Sequence, residues 1–153
     1  MKQELTINAT INTTWQVIGT ELSEVDIWAA NFIKSEASGS KKFKDIDYST
    51  RVTLTKNVKN TQELDDFDPT NHQLKYNITK KKPGIARDPS AMWSLVDLEP
   101  NKTKVILEFK LGTKGWIGQL TLGKMHSKIN SSSREIAEEL QFYMEDGTAT
   151  TKN

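Results

Sequence analysis

The sequence predicts an α+β fold: one antiparallel sheet curved around a single long C-terminal helix, with two short helices after the first strand. Three observations predict it. First, Trp116–Glu145 carries its apolar residues in helical phase: Ile117, Leu120, Leu122, Met125, Ile129, Ile136, Leu140 and Tyr143. Lys124, Lys128, Arg134, Glu135, Glu138, Glu139 and Glu145 stand between them. At about 1.5 Å per residue such a helix is roughly 40 Å long, more than a small domain needs for an ordinary packing helix. Second, nearly all of the preceding chain alternates with a period of two at hairpin spacing. Third, strands and helices do not alternate as βαβ units, so a parallel sheet is not expected.

The elements follow in order. Glu4–Asn12 alternates Leu5, Ile7, Ala9 and Ile11 against Thr6, Asn8 and Thr10, a half-buried strand. Thr13 or Thr14 can cap a short helix carrying Trp15, Val17 and Ile18, which Gly19 ends. Ser23 offers a second cap, with Val25, Ile27, Trp28 and Phe32 as the apolar set of the next helix and its exit. A strand starts in Ile33–Ala37 and turns at Ser38-Gly39-Ser40. Ile46–Thr55 alternates through Ile46, Tyr48, Val52 and Leu54, and Lys56-Asn57 turns it into Val58–Phe67. Asp65-Asp66-Phe67-Asp68-Pro69 has the composition of a turn. Gln73–Lys80 is a strand facing Leu74, Tyr76 and Ile78 together; Lys80-Lys81-Lys82-Pro83-Gly84 ends it, and Ile85–Ser90 reads as a loop. Met92–Leu98 is a strand with apolar groups on both faces, followed by a turn at Glu99–Lys102. Lys104–Leu111 alternates Val105, Leu107, Phe109 and Leu111 against Ile106, Glu108 and Lys110. A glycine-spaced link, Gly112–Gly118, leads into the long helix. Ser131-Ser132-Ser133 interrupts that helix with a capping-box form at Ser132 and Glu135, but the apolar phase runs across it, so one helix is expected. Residues 1–146 read as one domain and 147–153 as a frayed polar tail.

Bulk composition narrows the function classes. The 153 residues suffice for a substantial core, and the hydrophobic and charged fractions of 35% and 27% describe a soluble, rather polar protein. A net charge of +1 argues against a nucleic-acid partner. There is no cysteine, which excludes disulfides, thiol catalysis and thiolate metal sites. Met1–Trp15 lacks the apolar run of a secretory signal, and no stretch has the 18 or so apolar residues of a membrane span, so a cytoplasmic protein without integral membrane association is expected. The Asn-x-Ser/Thr triplets at Asn8, Asn12, Asn77, Asn101 and Asn130 then reflect composition rather than glycosylation.

The order of elements and several local sequences resemble the SRPBCC superfamily, also called START-like or Bet v 1-like, and within it the polyketide cyclase/dehydrase and lipid-transport-type members. INTTWQVI at Ile11–Ile18 is similar to the family's first helix, and Asp26-Ile27-Trp28 to the second helix that closes one end of its cavity. QELDDFDPTNHQLKYNI at Gln62–Ile78 resembles its acidic turn followed by a Leu-x-Tyr-x-Ile strand, and Trp93–Gly118 its strand–Gly–helix junction. One departure is plain: where the family has a glycine-rich turn after the second helix, this chain has Gly39 alone, followed by Ser40-Lys41-Lys42-Phe43. The resemblance implies a helix-grip fold, in which a seven-stranded antiparallel sheet and the long helix enclose a cavity for apolar or amphipathic small molecules.

Candidates for lining such a cavity are Trp28, Tyr48, Tyr76, Trp93, Phe109 and Trp116, with Met125, His126 and Ile129 from the long helix. Core packing is the simpler reading of each aromatic, Trp15 and Tyr143 included, while the resemblance puts Trp28 and Trp116 near the cavity's ends. For acid/base chemistry the candidates are Glu63, Arg87, Asp97, Glu108 and His126; alternation turns Glu63 and Glu108 outward, and Arg87 has a local partner in Asp88. Two histidines make no metal motif, and no nucleophile elbow occurs. Gly112, Gly115 and Gly118 have the wrong spacing and context for a nucleotide loop, so no cofactor is expected. Lys41-Lys42 and Lys80-Lys81-Lys82 read as solvated turns. Three functions stay open: a non-enzymatic carrier or sensor of a lipid- or polyketide-like molecule, a cyclase/dehydratase-type enzyme, and a protein-interaction module of the same fold.

Overall fold

The computed structural model describes residues 1–80, 86–113 and 115–147. Its elements are β1 (Lys2–Ile7), α1 (Ile11–Trp15), α2 (Val25–Trp28), β2 (Lys34–Ser38), β3 (Thr50–Leu54), β4 (Lys59–Asp68), β5 (Gln73–Lys80), β6 (Ala86–Glu99), β7 (Lys102–Thr113) and α3 (Gly115–Asp146). The strands form one seven-stranded antiparallel sheet in the order β1-β7-β6-β5-β4-β3-β2. Strands β2 to β7 are a run of neighbours, and β1 closes the order by pairing with β7, Leu5 opposite Val105. The expected sheet, the two short helices and the long C-terminal helix are all present.

Alternation explains which face is inside. On β7, Val105 and Leu107 are buried while Ile106 and Glu108 are half-exposed; on β6, Ala91, Trp93 and Leu95 are buried while Val96 and Leu98 face water. The inner face therefore continues across β4–β7 through Leu64, Tyr76, Trp93 and Leu107. Trp15 fills one end of the core, with its ring 5.5 Å from Phe67 and 5.7 Å from His72. Gly19 lies against that indole: a Cβ there would come within 2.4 Å of Trp15 Cε2, so only glycine fits the approach.

Helix α3 runs unbroken for 32 residues. The serine triplet does not interrupt it, and Ser133 Oγ donates to the Ile129 carbonyl at 2.7 Å within the helix. Among its described residues the buried ones lie in the C-terminal half. Ala137 and Leu140 are buried, while Trp116 and Leu120 in the first turns are 73% and 75% exposed. Polar clamps hold it along β1: Gln141 Nε2 donates to the Thr6 carbonyl at 3.0 Å, and the Asn8 backbone N–H donates to Glu145 Oε1 at 3.1 Å.

Several boundaries differ from the expectation. Strand β1 stops at Ile7, and Thr10 caps α1 by accepting from the Thr13 N–H at 3.1 Å; neither Thr13 nor Thr14 is the cap. After α1 the chain continues as a π-helical turn, Gln16–Thr20, and a 3-10 turn, Leu22–Glu24. Ser23 caps nothing: its backbone N–H donates to the Tyr48 hydroxyl at 2.9 Å. Asp65–Asp68 belong to β4, where a bulge between Leu64 and Asp66 absorbs the acidic run; the turn itself is held by Asp68 Oδ1, which accepts from the Thr70 and Asn71 N–H groups. Ala86–Ser90 is strand rather than loop, kinked by a bulge at Asp88, whose φ is 45°. Gly112 lies in β7, and Gly115 and Gly118 lie within α3, so the glycine-spaced link is shorter than expected. The turn at Lys81–Gly84, Ile85, Lys114 and the tail from 148 onward lie outside the described residues.

On β3 the difference is one of face. Alternation suggested Val52 and Leu54 as the inward pair, but Arg51 and Thr53 are buried at 5% and 0% exposure while Leu54 is 38% exposed. Register decides it: Arg51 pairs with Gln62, and Gln62 and Leu64 face inward on β4.

Candidate functional site

Between the inner face of the sheet, the short helices and α3 lies a cavity of about 1220 Å³. Its sheet wall is made by Tyr76, Ile78, Ala91, Trp93, Leu107 and Phe109, consecutive inward positions of β5, β6 and β7. The short helices close one end with Ile18, Leu22, Val25 and Trp28, and α3 supplies Met125, Ile129 and Ile136. The exposed residues of its lining come from three segments: Asn31–Ile33 after α2, Thr55–Val58 at the β3–β4 turn, and Lys128–Glu135 on α3. A hydrophobic wall with a polar rim is the arrangement of a small-molecule site.

Of the expected lining residues, the structure brings Trp28, Tyr76, Trp93, Phe109, Met125 and Ile129 to this one cavity. Tyr48, Trp116 and His126 are not on its wall. Tyr48 stands behind it with its hydroxyl accepting from Ser23. Trp116 lies in the first turn of α3, beyond the part of the helix that covers the sheet, and is exposed. His126 is half-buried, one helical step of about 100° round from Met125 and so off the cavity face. The acid/base candidates do not converge either. Glu63 and Asp97 are exposed, and Glu108 lies on the outer face between inward Leu107 and Phe109. For Arg87 the backbone pairs with Gly112 in the sheet. The basic pair Lys41-Lys42 is committed locally, to Asp47 Oδ1 at 3.1 Å and to the Leu64 carbonyl at 2.9 Å.

Polar groups do enter the cavity, at positions the sequence did not single out. Arg51 and Gln62 both line it and both are buried. Arg51 Nε donates to Gln62 Oε1 at 2.6 Å, and Nη1 donates to the Leu22 carbonyl at 2.7 Å. The guanidinium also lies 5.0 Å from the Tyr76 ring centroid. Burial holds its pKa below the ordinary guanidinium value, opposed by the neighbouring Tyr76 and Tyr48 phenols. None of the ion pairs among the described residues includes Arg51. The one signal in the sequence was an arginine inside an alternating Thr-Arg-Val-Thr-Leu segment, which reads more simply as an outward charge.

At the rim, two carboxylates of α3 hold the segment leaving α2. Glu139 Oε2 accepts from the Ala30 N–H at 3.1 Å, and Glu135 Oε2 accepts from Asn31 Nδ2 at 3.2 Å. Partial burial raises the Glu139 pKa above the ordinary carboxylate value; the Ala30 N–H opposes this and Glu135 adds to it.

This sheet and long helix recur in solved structures. A START superfamily protein from Mycobacterium smegmatis superposes with a TM-score of 0.75 at 12% identity, over 97% of this chain and 98% of that one. The fold is the START-like helix-grip fold. The START-like resemblance read from the sequence thus holds at the level of structure. An aromatase/cyclase, Zhui from Streptomyces sp. R1128, matches with a TM-score of 0.66 at 15% identity over 98% of both chains. The di-domain ARO/CYC BexL of the BE-7585A biosynthetic pathway matches with a TM-score of 0.75 at 11% identity, over 92% of this chain and 44% of that chain. No family model matches the sequence, and no curated protein matches it. Among the described residues no helix of this chain is long and apolar enough to cross a membrane.

Proposed function

We propose that this START-like chain is a cytoplasmic carrier or sensor that binds an apolar or amphipathic small molecule, lipid- or polyketide-like, between the sheet and α3. The observation that carries this reading is the cavity itself. At about 1220 Å³ it is open to solvent and walled by aromatic and aliphatic side chains, above the roughly 300–1,000 Å³ typical of ligand sites. Core packing alone does not explain it, since protein interiors leave few voids larger than a water molecule. Native mass spectrometry of the protein purified from its own cell extract, followed by denaturing extraction, tests the reading. A stoichiometric small molecule is expected. A clean apo mass, with nothing gained from a lipid and aromatic library, overturns it.

A second reading, a cyclase/dehydratase-type enzyme, draws on the convergence of Arg51, Gln62 and Tyr76 inside the cavity. It draws as well on the aromatase/cyclases among the fold's neighbours. It requires that a bound polyketide-like compound be returned changed, which the same extraction reads as a product mass lower by one water.

A further inference from the structure

We infer that Arg51, with Gln62 and Tyr76, is the receptor for an oxyanion on the cavity's ligand, so that the ligand is an amphipathic acid with its anionic end on β3–β4. The inference rests on the reading of the cavity as a ligand site and narrows the chemistry of what it takes.

A guanidinium presents five N–H donors in a planar fork. Here Nε is engaged by Gln62 and one Nη1 hydrogen by the Leu22 carbonyl. The remaining Nη hydrogens have the Tyr76 phenol beside them and no carboxylate among the described residues. Gln62 accepts through Oε1, which leaves its Nε2 hydrogens without an acceptor among those residues. Donors from three adjacent strands therefore converge on one part of an apolar cavity. A buried cation without a counter-charge is costly, and a guanidinium fork with the Tyr76 phenol in hydrogen-bonding reach is shaped to take an oxyanion.

The other charged groups on the wall do not supply that counter-charge. Glu135 and Glu139 sit at the rim, one exposed and one half-exposed, and bond to Asn31 and Ala30. Lys56 and Lys128 are exposed and also at the rim. The interior is thus positive where the rim is mixed. A neutral hydrocarbon would leave the donors unsatisfied, whereas an acid places its oxygens on them and its apolar body along Trp93, Phe109 and Ile129.

Two fluorescent probes with the same ring system test this: neutral N-phenylnaphthylamine and the anionic anilinonaphthalene sulfonate, titrated at neutral pH. The neutral probe reports the cavity alone, and if it does not bind, the ligand-site reading fails and this inference with it. If it binds, the sulfonate is expected to bind at least about tenfold tighter, the scale of one charged hydrogen bond. Arg51→Met is expected to remove that preference, read as the ratio of the two probes' affinities in the same variant. Equal affinities for the two probes in the wild type overturn the inference. So does a preference that survives Arg51→Met or that disappears in the Lys56→Gln/Lys128→Gln double variant. Should circular dichroism show that Arg51→Met does not fold, the double variant decides: the preference must survive in it.

Discussion

Arg51 and Gln62 stand opposite each other across the β3–β4 pair, joined by a 2.6 Å bond from the guanidinium Nε to the amide oxygen. Both side chains are more than nine-tenths buried, which favours this direct bond over one to water. Gln62→Leu leaves the Nε–H buried without an acceptor and is expected to cost about 1–3 kcal/mol in urea unfolding. Gln62→Glu gives Arg51 a carboxylate partner instead. It is expected to abolish any preference for the anionic probe while the neutral probe still binds, read by the same fluorescence titration.

Helix α3 is expected to draw its stability from one half only. Leu140 is fully buried and Leu120 is 75% exposed. Leu140→Ala should cost about 2–5 kcal/mol, the range for a buried leucine. Leu120→Ala should stay within about 0.5 kcal/mol. Equal effects in paired chemical denaturation curves would show that the helix is anchored along its whole length.

The close approach of Gly19 to Trp15 makes a sharp stability prediction. Gly19→Ala places a methyl group 2.4 Å from the indole, and the ring, packed against Phe67 and His72, has little room to retreat. The expected cost is about 1–3 kcal/mol despite the helix propensity that alanine gains. A stability unchanged or raised on thermal unfolding would refute the packing account.

Glu139 predicts a pH dependence. Its pKa is raised in the folded protein, chiefly by burial, so its protonated form favours the fold. That contribution is complete below the unfolded carboxylate pKa and is lost as pH rises through the higher folded value. Glu139→Gln keeps an oxygen for the Ala30 N–H and removes the charge. Relative to the wild type, the variant should therefore gain stability as pH rises from about 4 to 7. Solvent screening at this partly exposed site keeps the gain under about 1 kcal/mol. Melting temperatures of both proteins across that range check the sign.

Much of the architecture was legible locally. The apolar phase of Leu122, Met125, Ile129, Ile136 and Leu140 placed α3, and the inward set Val105, Leu107 and Phe109 placed β7, because a helical or strand period is written in neighbouring residues. The candidates on those two elements that reach the cavity, Phe109, Met125 and Ile129, were legible for the same reason.

Tertiary structure decided what local period does not encode. Val52 and Leu54 made as good an inward face for β3 as Arg51 and Thr53. The choice was made by register against Gln62 and by a carbonyl at Leu22, 29 residues earlier in the chain. Trp116 continues the apolar character of the helix, yet it stands in solvent because the sheet and short helices cover only the later turns. The sequence by itself determined a long amphipathic helix over an antiparallel sheet. Which polar side chain that sheet turns inward, and how far along the helix the cover extends, depended on contacts between residues far apart in the chain, where a one-residue change of register reverses every side chain.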